Sequence, residues 1–304
     1  MHIRVLGSAA GGGFPQWNCN CHNCAGVRNH SLAAQPRTQS SIAVTVDDVN
    51  WVLFNASPDI LQQLKDNPEL QPARGIRDTG IAGVILIDAQ IDHTTGLLML
   101  RESQRPLSIF CSDMVHGDLT TGNPLFRILE YYCGVTWYPI AAGHSAFTVP
   151  GVTQLEFEAL PLKSAAPPYS PHRNDPHPGD TIGVRIVDRQ SGRTAFYAPG
   201  LGEIEPHVEG AMREANCVMV DGTFWTDDEM IRLGISKKRA REIGHLPQAG
   251  PDGMMEWLER FDRPRKILIH INNTNPILDD DSLERAELAR RGIEVAYDGM
   301  DIRV

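Results

Sequence analysis

Short, wholly apolar runs alternate along this chain with segments of helical spacing, and Gly, Pro and Asp punctuate them. HIRVL (2–6) is strand-like and runs into a glycine-rich turn, GSAAGGG. That turn lacks the GxGxxG spacing and no helix follows it, so a dinucleotide site is not expected. SSIAVTV (40–46) and NWVLFN (50–55) flank a short DDV connection and predict a β-hairpin. Ser57 as N-cap and Pro58 as first helical residue open a helix over PDILQQLKD. GVILID (83–88) predicts a fully apolar strand, TTGLLMLRES a helix after it, and PLSIFC (106–111) another strand. Residues 113–133 alternate turn and helix signals, and GVTQLEFEAL (151–160) reads as a strand or hairpin arm.

PLKSAAPPYSPHRNDPHPGD (161–180) is rich in Pro, His and polar residues and predicts a long loop, a feature usually tied to function. TIGVRIVD and RTAFYA form a hairpin across RQSG; EPHVEGAMREA is helical and CVMVDGTF a buried strand. The latter half of GHLPQAGPDGMMEWLERF is helical, KILIHI (266–271) a strand, DDSLERAELARRG a helix stopped by Gly, and IEVAYDG a last strand. Hairpins, then helices, then a second strand set imply an α/β or α+β fold of two mixed sheets with helices outside. Neither an internal repeat nor a linker is evident, so one domain over 1–304 is expected.

Composition narrows the class. The 304 residues are 41% hydrophobic, enough for one large core or two smaller ones. A net charge of −10 argues against a nucleic-acid partner, which needs clustered Lys and Arg. The densest basic run, KKRAR (237–241), reads as a solvated helix face. No apolar run reaches the length of a membrane span, and MHIRVLGSAAGGG does not read as a signal peptide, so a cytoplasmic protein with reduced cysteines is expected.

Two clusters carry chemistry. In ILIDAQIDHTTGLLML (85–100) an apolar strand ends in Asp88, Gln90, Asp92 and His93 before the apolar pattern resumes, the arrangement of a metal site at a strand end. WNCNCHNCAGVRNH (17–30) places Cys19, Cys21 and Cys24 in a CxCxxC spacing. Three thiolates on one tight loop suit a closed structural Zn²⁺ site, with His30 and His22 as local candidates for the fourth ligand. Cys111, Cys133 and Cys217 lie among apolar residues and read as core. His172 and His177 read as solvated loop histidines, and Trp17, Trp225 and Tyr169 flank the site loops as candidate pocket aromatics.

Asp88-x-Gln90-x-Asp92-His93-x-x-Gly96 resembles the HxHxDHxxG signature of the metallo-β-lactamase superfamily, with the first two histidines replaced. FNASPDI, TIGVRI, VDGTF, GHLP and ILIHI extend the resemblance over nearly the whole chain. It implies a four-layer αβ/βα sandwich with metal-binding loops at one edge. The superfamily's third histidine falls at Lys163 or Ser164, where a lysine ammonium repels a cation, and its bridging aspartate falls at Pro199-Gly200-Leu201. The resemblance leaves Asp92, His93 and His270 as ligands, with Asp88 and Gln90 as further candidates. Two histidines and one carboxylate with open positions are the ligand set of a mononuclear non-haem Fe²⁺ centre, though Zn²⁺ or another divalent metal would also accept it. By the same resemblance the fourth zinc ligand is Asn273, and His245 and Asp221 form an acid–imidazole pair beside the substrate.

CNCHNC, DAQIDHTTGLL, VDGTFW, GHLP and IHINNTNPI are similar to one family in particular, the pyrroloquinoline quinone (PQQ) biosynthesis protein B family. The resemblance implies an iron-dependent hydroxylase acting with O₂ on the tyrosine ring of a small crosslinked Glu–Tyr precursor, beside other proteins of that pathway. The alternatives are a metallohydrolase of the phosphodiesterase type and a carrier of PQQ or its precursor towards the periplasm.

Overall fold

A computed structural model describes residues 1–143, 146–164 and 166–304; Ala165, inside the stretch read as a long loop, lies outside the described residues. The strands are β1 (His2–Gly7), β2 (Ser41–Thr45), β3 (Trp51–Phe54), β4 (Ile81–Ile85), β5 (Leu107–Cys111), β6 (Val135–Pro139), β7 (Leu155–Pro161), β8 (Ile182–Asp188), β9 (Thr194–Ala198), β10 (Cys217–Asp221), β11 (Arg265–Ile269), β12 (Ile293–Val295) and β13 (Asp301–Arg303). The α-helices are α1 (His22–Arg28), α2 (Ile60–Asp66), α3 (Ile91–Thr94), α4 (Asp113–Thr120), α5 (Leu125–Leu129), α6 (Pro206–Glu214), α7 (Glu229–Arg232), α8 (Met254–Glu259) and α9 (Leu283–Arg290).

Two mixed sheets form, in the orders β13-β1-β2-β3-β4-β5-β6 and β12-β11-β10-β9-β8-β7. Strands buried on both faces read as continuous apolar runs, and their alternate residues serve different cores. Val52 and Phe54 of β3 face Phe157, Val184, Tyr197, Met219 and Ile267 of the opposite sheet in a core between the sheets. Trp51 and Leu53 point the other way, against Ile60, Leu97, Val115, Leu119 and Phe126 of the helices covering the first sheet. Phe196, Val218, Val220 and Leu268 likewise face Val208, Met212, Leu258 and Leu288 of α6, α8 and α9. Helix, sheet, sheet, helix are the four layers of the αβ/βα sandwich.

Several elements depart from the sequence reading. α3 ends at Thr94 and gives way to 3₁₀ turns over Thr95–Leu100, not the α-helix expected for TTGLLMLRES. The reason lies next door in space: the Ala56 N–H takes the His93 carbonyl at 2.7 Å and the Gly96 N–H donates to the Ala56 carbonyl at 2.9 Å. Both diverted groups would otherwise serve the α-helical ladder. The edge strand β6 falls between the turn signals of 113–133 and the strand expected at 151–160, where the sequence carried no expectation, and its terminal Pro139 is tolerated because nothing pairs beyond it. β12 is not the last strand, since the three-residue β13 follows and pairs antiparallel with β1. KKRAR lies in turns leading to a 3₁₀ segment at Arg241–Ile243, not on a helix face.

Candidate metal centre

Parallel strands β4, β10 and β11 end at one edge of the sandwich, and the polar residues follow their last apolar positions. Asp221 closes β10 in register with Ile269 of β11, so Asp221 and His270 emerge side by side. Asp88, past the end of β4, bridges to Thr181 before β8. His270 sits at φ 62°, a left-handed conformation uncommon for a non-glycine residue, which turns its ring from the strand into the site.

Donor atoms of Asp92, His93 and His270 all lie within 4.8 Å of one another. The His270 Nε2 is 3.4 Å and the His93 Nε2 3.7 Å from the Asp92 Oδ2. His93 Nδ1 stands 2.7 Å from the Asp88 Oδ1, and a carboxylate only accepts, so Nδ1 is the donor. In the neutral ring its Nε2 then bears a lone pair; that atom is buried and has no hydrogen-bond partner. On His270 the Nδ1 lies 2.9 Å from the Thr223 Oγ1, whose own proton goes to the His270 carbonyl at 2.9 Å. That hydroxyl must accept from Nδ1, leaving a second Nε2 lone pair directed at Asp92. Histidines oriented through their far nitrogen by a carboxylate or hydroxyl, with near nitrogens converging on a carboxylate, fit a divalent metal.

Electrostatics agree. Burial disfavours a charged His93, yet the Asp88 and Asp92 carboxylates outweigh it and push the imidazole up to about 9. Burial would also raise Asp92, but His93 and His270 hold it well below the usual carboxylate range. His270 itself is lowered, chiefly by burial. The field at this spot calls for positive charge, which a bound cation supplies without protonating a ligand.

Asp88 stands outside the three-donor group, engaged by His93 and by the Gln90 N–H at 2.9 Å. Gln90 gives its carbonyl to the His93 N–H and the Thr94 hydroxyl. Lys163 does not face the site, contrary to the reading that its ammonium repels a cation there: it is exposed and paired with Glu203 at 3.0 Å. His245 and Asp221 do meet, the Nδ1 donating to the Asp221 Oδ2 at 2.6 Å, and the His245 ring stacks on His270 at 5.4 Å. Burial opposes charge on His245, but Asp221 raises it. The Leu201 and Thr223 N–H groups fix Asp221 at 2.9 Å each.

Two site residues escaped the sequence reading. Thr223 orients His270. Gly11 lies so near Asp92 that a Cβ would stand 3.2 Å from its Oδ2; the glycine-rich turn was the available signal. Tyr169 donates its hydroxyl to the Ala89 carbonyl beside the cluster. His172 is not a solvated loop residue, because the buried Asp118 and Asp180 flank it at 3.4 and 3.1 Å. His177 is exposed. Trp17 is 86% exposed, and Trp225 packs partly buried on the outer core of the second sheet.

The sulfurs of Cys19, Cys21 and Cys24 form the second group of donors within 4.8 Å. The Asn273 side-chain amide approaches them at 3.0, 3.7 and 3.3 Å respectively. His22 and His30 are exposed and stand outside the group. The two ends of an amide are interchangeable by a half-turn, and turning this one brings Oδ1, an oxygen able to ligate a metal, against the three sulfurs. The Asn23 amide donates to the Asn273 and Asn275 carbonyls at 3.1 and 2.9 Å, fastening α1 to the segment after His270. Cys111 and Cys217 are buried on strands and Cys133 is half-buried.

Fold and donor edge place the chain in a superfamily: the model described as "Beta-lactamase superfamily domain" matches residues 50–271. A coenzyme PQQ synthesis protein B from Methylobacillus flagellatus is 66% identical, with 99% of each chain covered. One from Azoarcus sp. (strain BH72) is 65% identical, again over 99% of each. The crystal structure of Zn²⁺-bound PqqB from Methylobacterium extorquens matches all of both chains with a TM-score of 0.91 at 33% identity. The chain therefore belongs to the coenzyme PQQ synthesis protein B family.

Proposed function

We propose that this chain acts in PQQ biosynthesis, hydroxylating the tyrosine ring of a small crosslinked Glu–Tyr precursor at one Fe²⁺ held by Asp92, His93 and His270. The names of its relatives support the pathway. The observation that carries the metal reading is the buried, partnerless His93 Nε2 converging with His270 Nε2 on Asp92. Among the described residues, the only other such donor group is the cysteine knuckle, so no second three-donor group stands beside the first to hold a bridged partner ion. Fe²⁺ with two histidines and one carboxylate supplies O₂ activation at open positions.

The chain's own residues do the rest. Asp88 and Thr223 fix the ligand rings, and the 8–13 loop, with Gly11 against Asp92, bounds the cluster. Asp221 takes the His245 Nδ1–H and leaves Nε2 to accept the phenol proton. Cys19, Cys21, Cys24 and Asn273 hold a structural Zn²⁺ that ties α1 to the segment carrying His270. The experiment is anaerobic reconstitution with Fe²⁺, Zn²⁺ or neither, followed by O₂ uptake with a tyrosine-containing substrate. Uptake coupled to ring hydroxylation, with iron alone, is expected. Turnover with zinc in the absence of O₂ overturns the reading in favour of a hydrolase, and full pathway function in Asp92→Ala overturns it in favour of a carrier.

A further inference from the structure

Residues 166–180 lie beside the metal cluster and are fastened at three places. Tyr169 donates to the Ala89 carbonyl on the metal-bearing loop. The Ser112 hydroxyl, at the start of α4, donates to the Gly179 carbonyl at 2.6 Å. The third fastening is ionic. Asp118 of α4 and Asp180 of the loop are 1% and 2% exposed, and His172 lies between them. Its Nε2 is 3.4 Å from the Asp118 Oδ1 and its Nδ1 3.1 Å from the Asp180 Oδ1. Both oxygens and the His172 Nδ1 are buried and lack an aligned hydrogen bond, so the contacts are ion pairs at most.

A neutral imidazole has one N–H and one lone pair. With carboxylates against both nitrogens, one oxygen would then face a lone pair, and two buried negative charges would share no compensating cation. Only the imidazolium sets a positive charge between the two, within ion-pair distance of each. One metal ion does not answer this geometry, because the carboxylates lie on opposite ring nitrogens, and the three residues do not form a compact donor group. The other charged groups nearby do not replace the proton. Asp175 pairs with His177, whose ring meets His172 edge-on at 5.3 Å. Arg173 is turned to the Ala166 carbonyl, and the groups beyond Tyr169 are the carboxylates Asp88 and Asp92.

We propose that His172 is a proton-dependent latch: as imidazolium it clamps the 166–180 loop onto α4 and holds Tyr169 against the edge of the metal cluster, and loss of its proton releases the loop. The latch goes beyond the hydroxylase reading; only its effect on access to the cluster rests on that reading.

The test is hydrogen exchange of peptides spanning 166–180, on the purified protein as isolated, from about pH 5.5 to about pH 8.5, corrected for intrinsic exchange rates. Wild type should show a several-fold loss of protection in these peptides as pH rises, with strand peptides of β8 and β9 unchanged. His172→Gln should show low protection at every pH. Asp118→Asn, which leaves Asp180 as partner, should weaken the protected state while keeping its pH dependence. Equal wild-type protection across the range overturns the latch, as does a pH dependence that survives in His172→Gln. Protection restored at high pH by added Zn²⁺ overturns it in favour of a cation site. None of these readings involves O₂ or turnover, so latch and hydroxylase can fail separately.

Discussion

Asp88 occupies the place of a superfamily metal ligand but spends its carboxylate on the far nitrogen of His93. Removing such an orienting partner typically weakens metal binding about 10–100-fold. Asp88→Ala should therefore lose affinity by that factor in a chelator competition, alongside a lowered melting temperature from the His93 and Gln90 donors left unpaired; unaltered affinity would refute the orienting role. The sequence pattern carried Asp92, His93 and Gly96 as neighbours along the chain. It could not show where the Asp88 carboxylate turns, because a side chain that replaces a ligand and one that supports a ligand occupy the same position. Thr223 and Gly11 were illegible for a related reason: their partners, His270 and Asp92, are distant in sequence and meet only through strand register.

Elements were legible wherever an apolar run is buried on both faces, as for β3, β9, β10 and β11. They were not where a neighbouring chain captured backbone groups, as at 93–96, or where a strand is a short edge piece like β13. Gly96 marks that capture. A Cβ there would stand 2.0 Å from the Ser57 carbonyl oxygen and 2.7 Å from that of Ala56, backbone atoms that cannot swing aside. Gly96→Ala should cost about 1–3 kcal/mol or more of stability, read as a lowered denaturant midpoint; a neutral result would mean that the 91–100 segment shifts freely. The knuckle is coupled in the same way. Asn273 follows His270 by three residues, and the Ala10 N–H donates to the Ile271 carbonyl at 2.9 Å. Cys24→Ala should empty the knuckle and also loosen metal at Asp92, His93 and His270, measured as metal content after gel filtration. Retention of the second ion at wild-type affinity would show the two groups to be independent.

Across the whole molecule, each sheet has a hairpin turn closed by an aspartate. Asp47 accepts the Val49 and Asn50 N–H groups at 2.9 and 2.8 Å, and Asp188 the Gln190 N–H at 3.0 Å. Burial acts to raise both carboxyls, but the turn donors at Asp47, and at Asp188 the Met1 ammonium at 3.0 Å together with the turn donors, prevail and hold each at about 2. A depressed carboxylate adds stability that is complete above its unfolded pKa of about 4 and is lost as pH falls through the folded value. Thermal melts should therefore decline between about pH 4 and about pH 2, with a shallower decline in Asp47→Ala and Asp188→Ala; parallel curves would exclude these turns as the cause. Both donor groups, finally, join residues far apart in sequence, Cys19, Cys21 and Cys24 to Asn273, and Asp92 and His93 to His270. During translation the early donors leave the ribosome long before their completing partners do. An ion held by either group would be captured only after His270 and Asn273 have emerged, so chains broken off before β11 should retain neither ion.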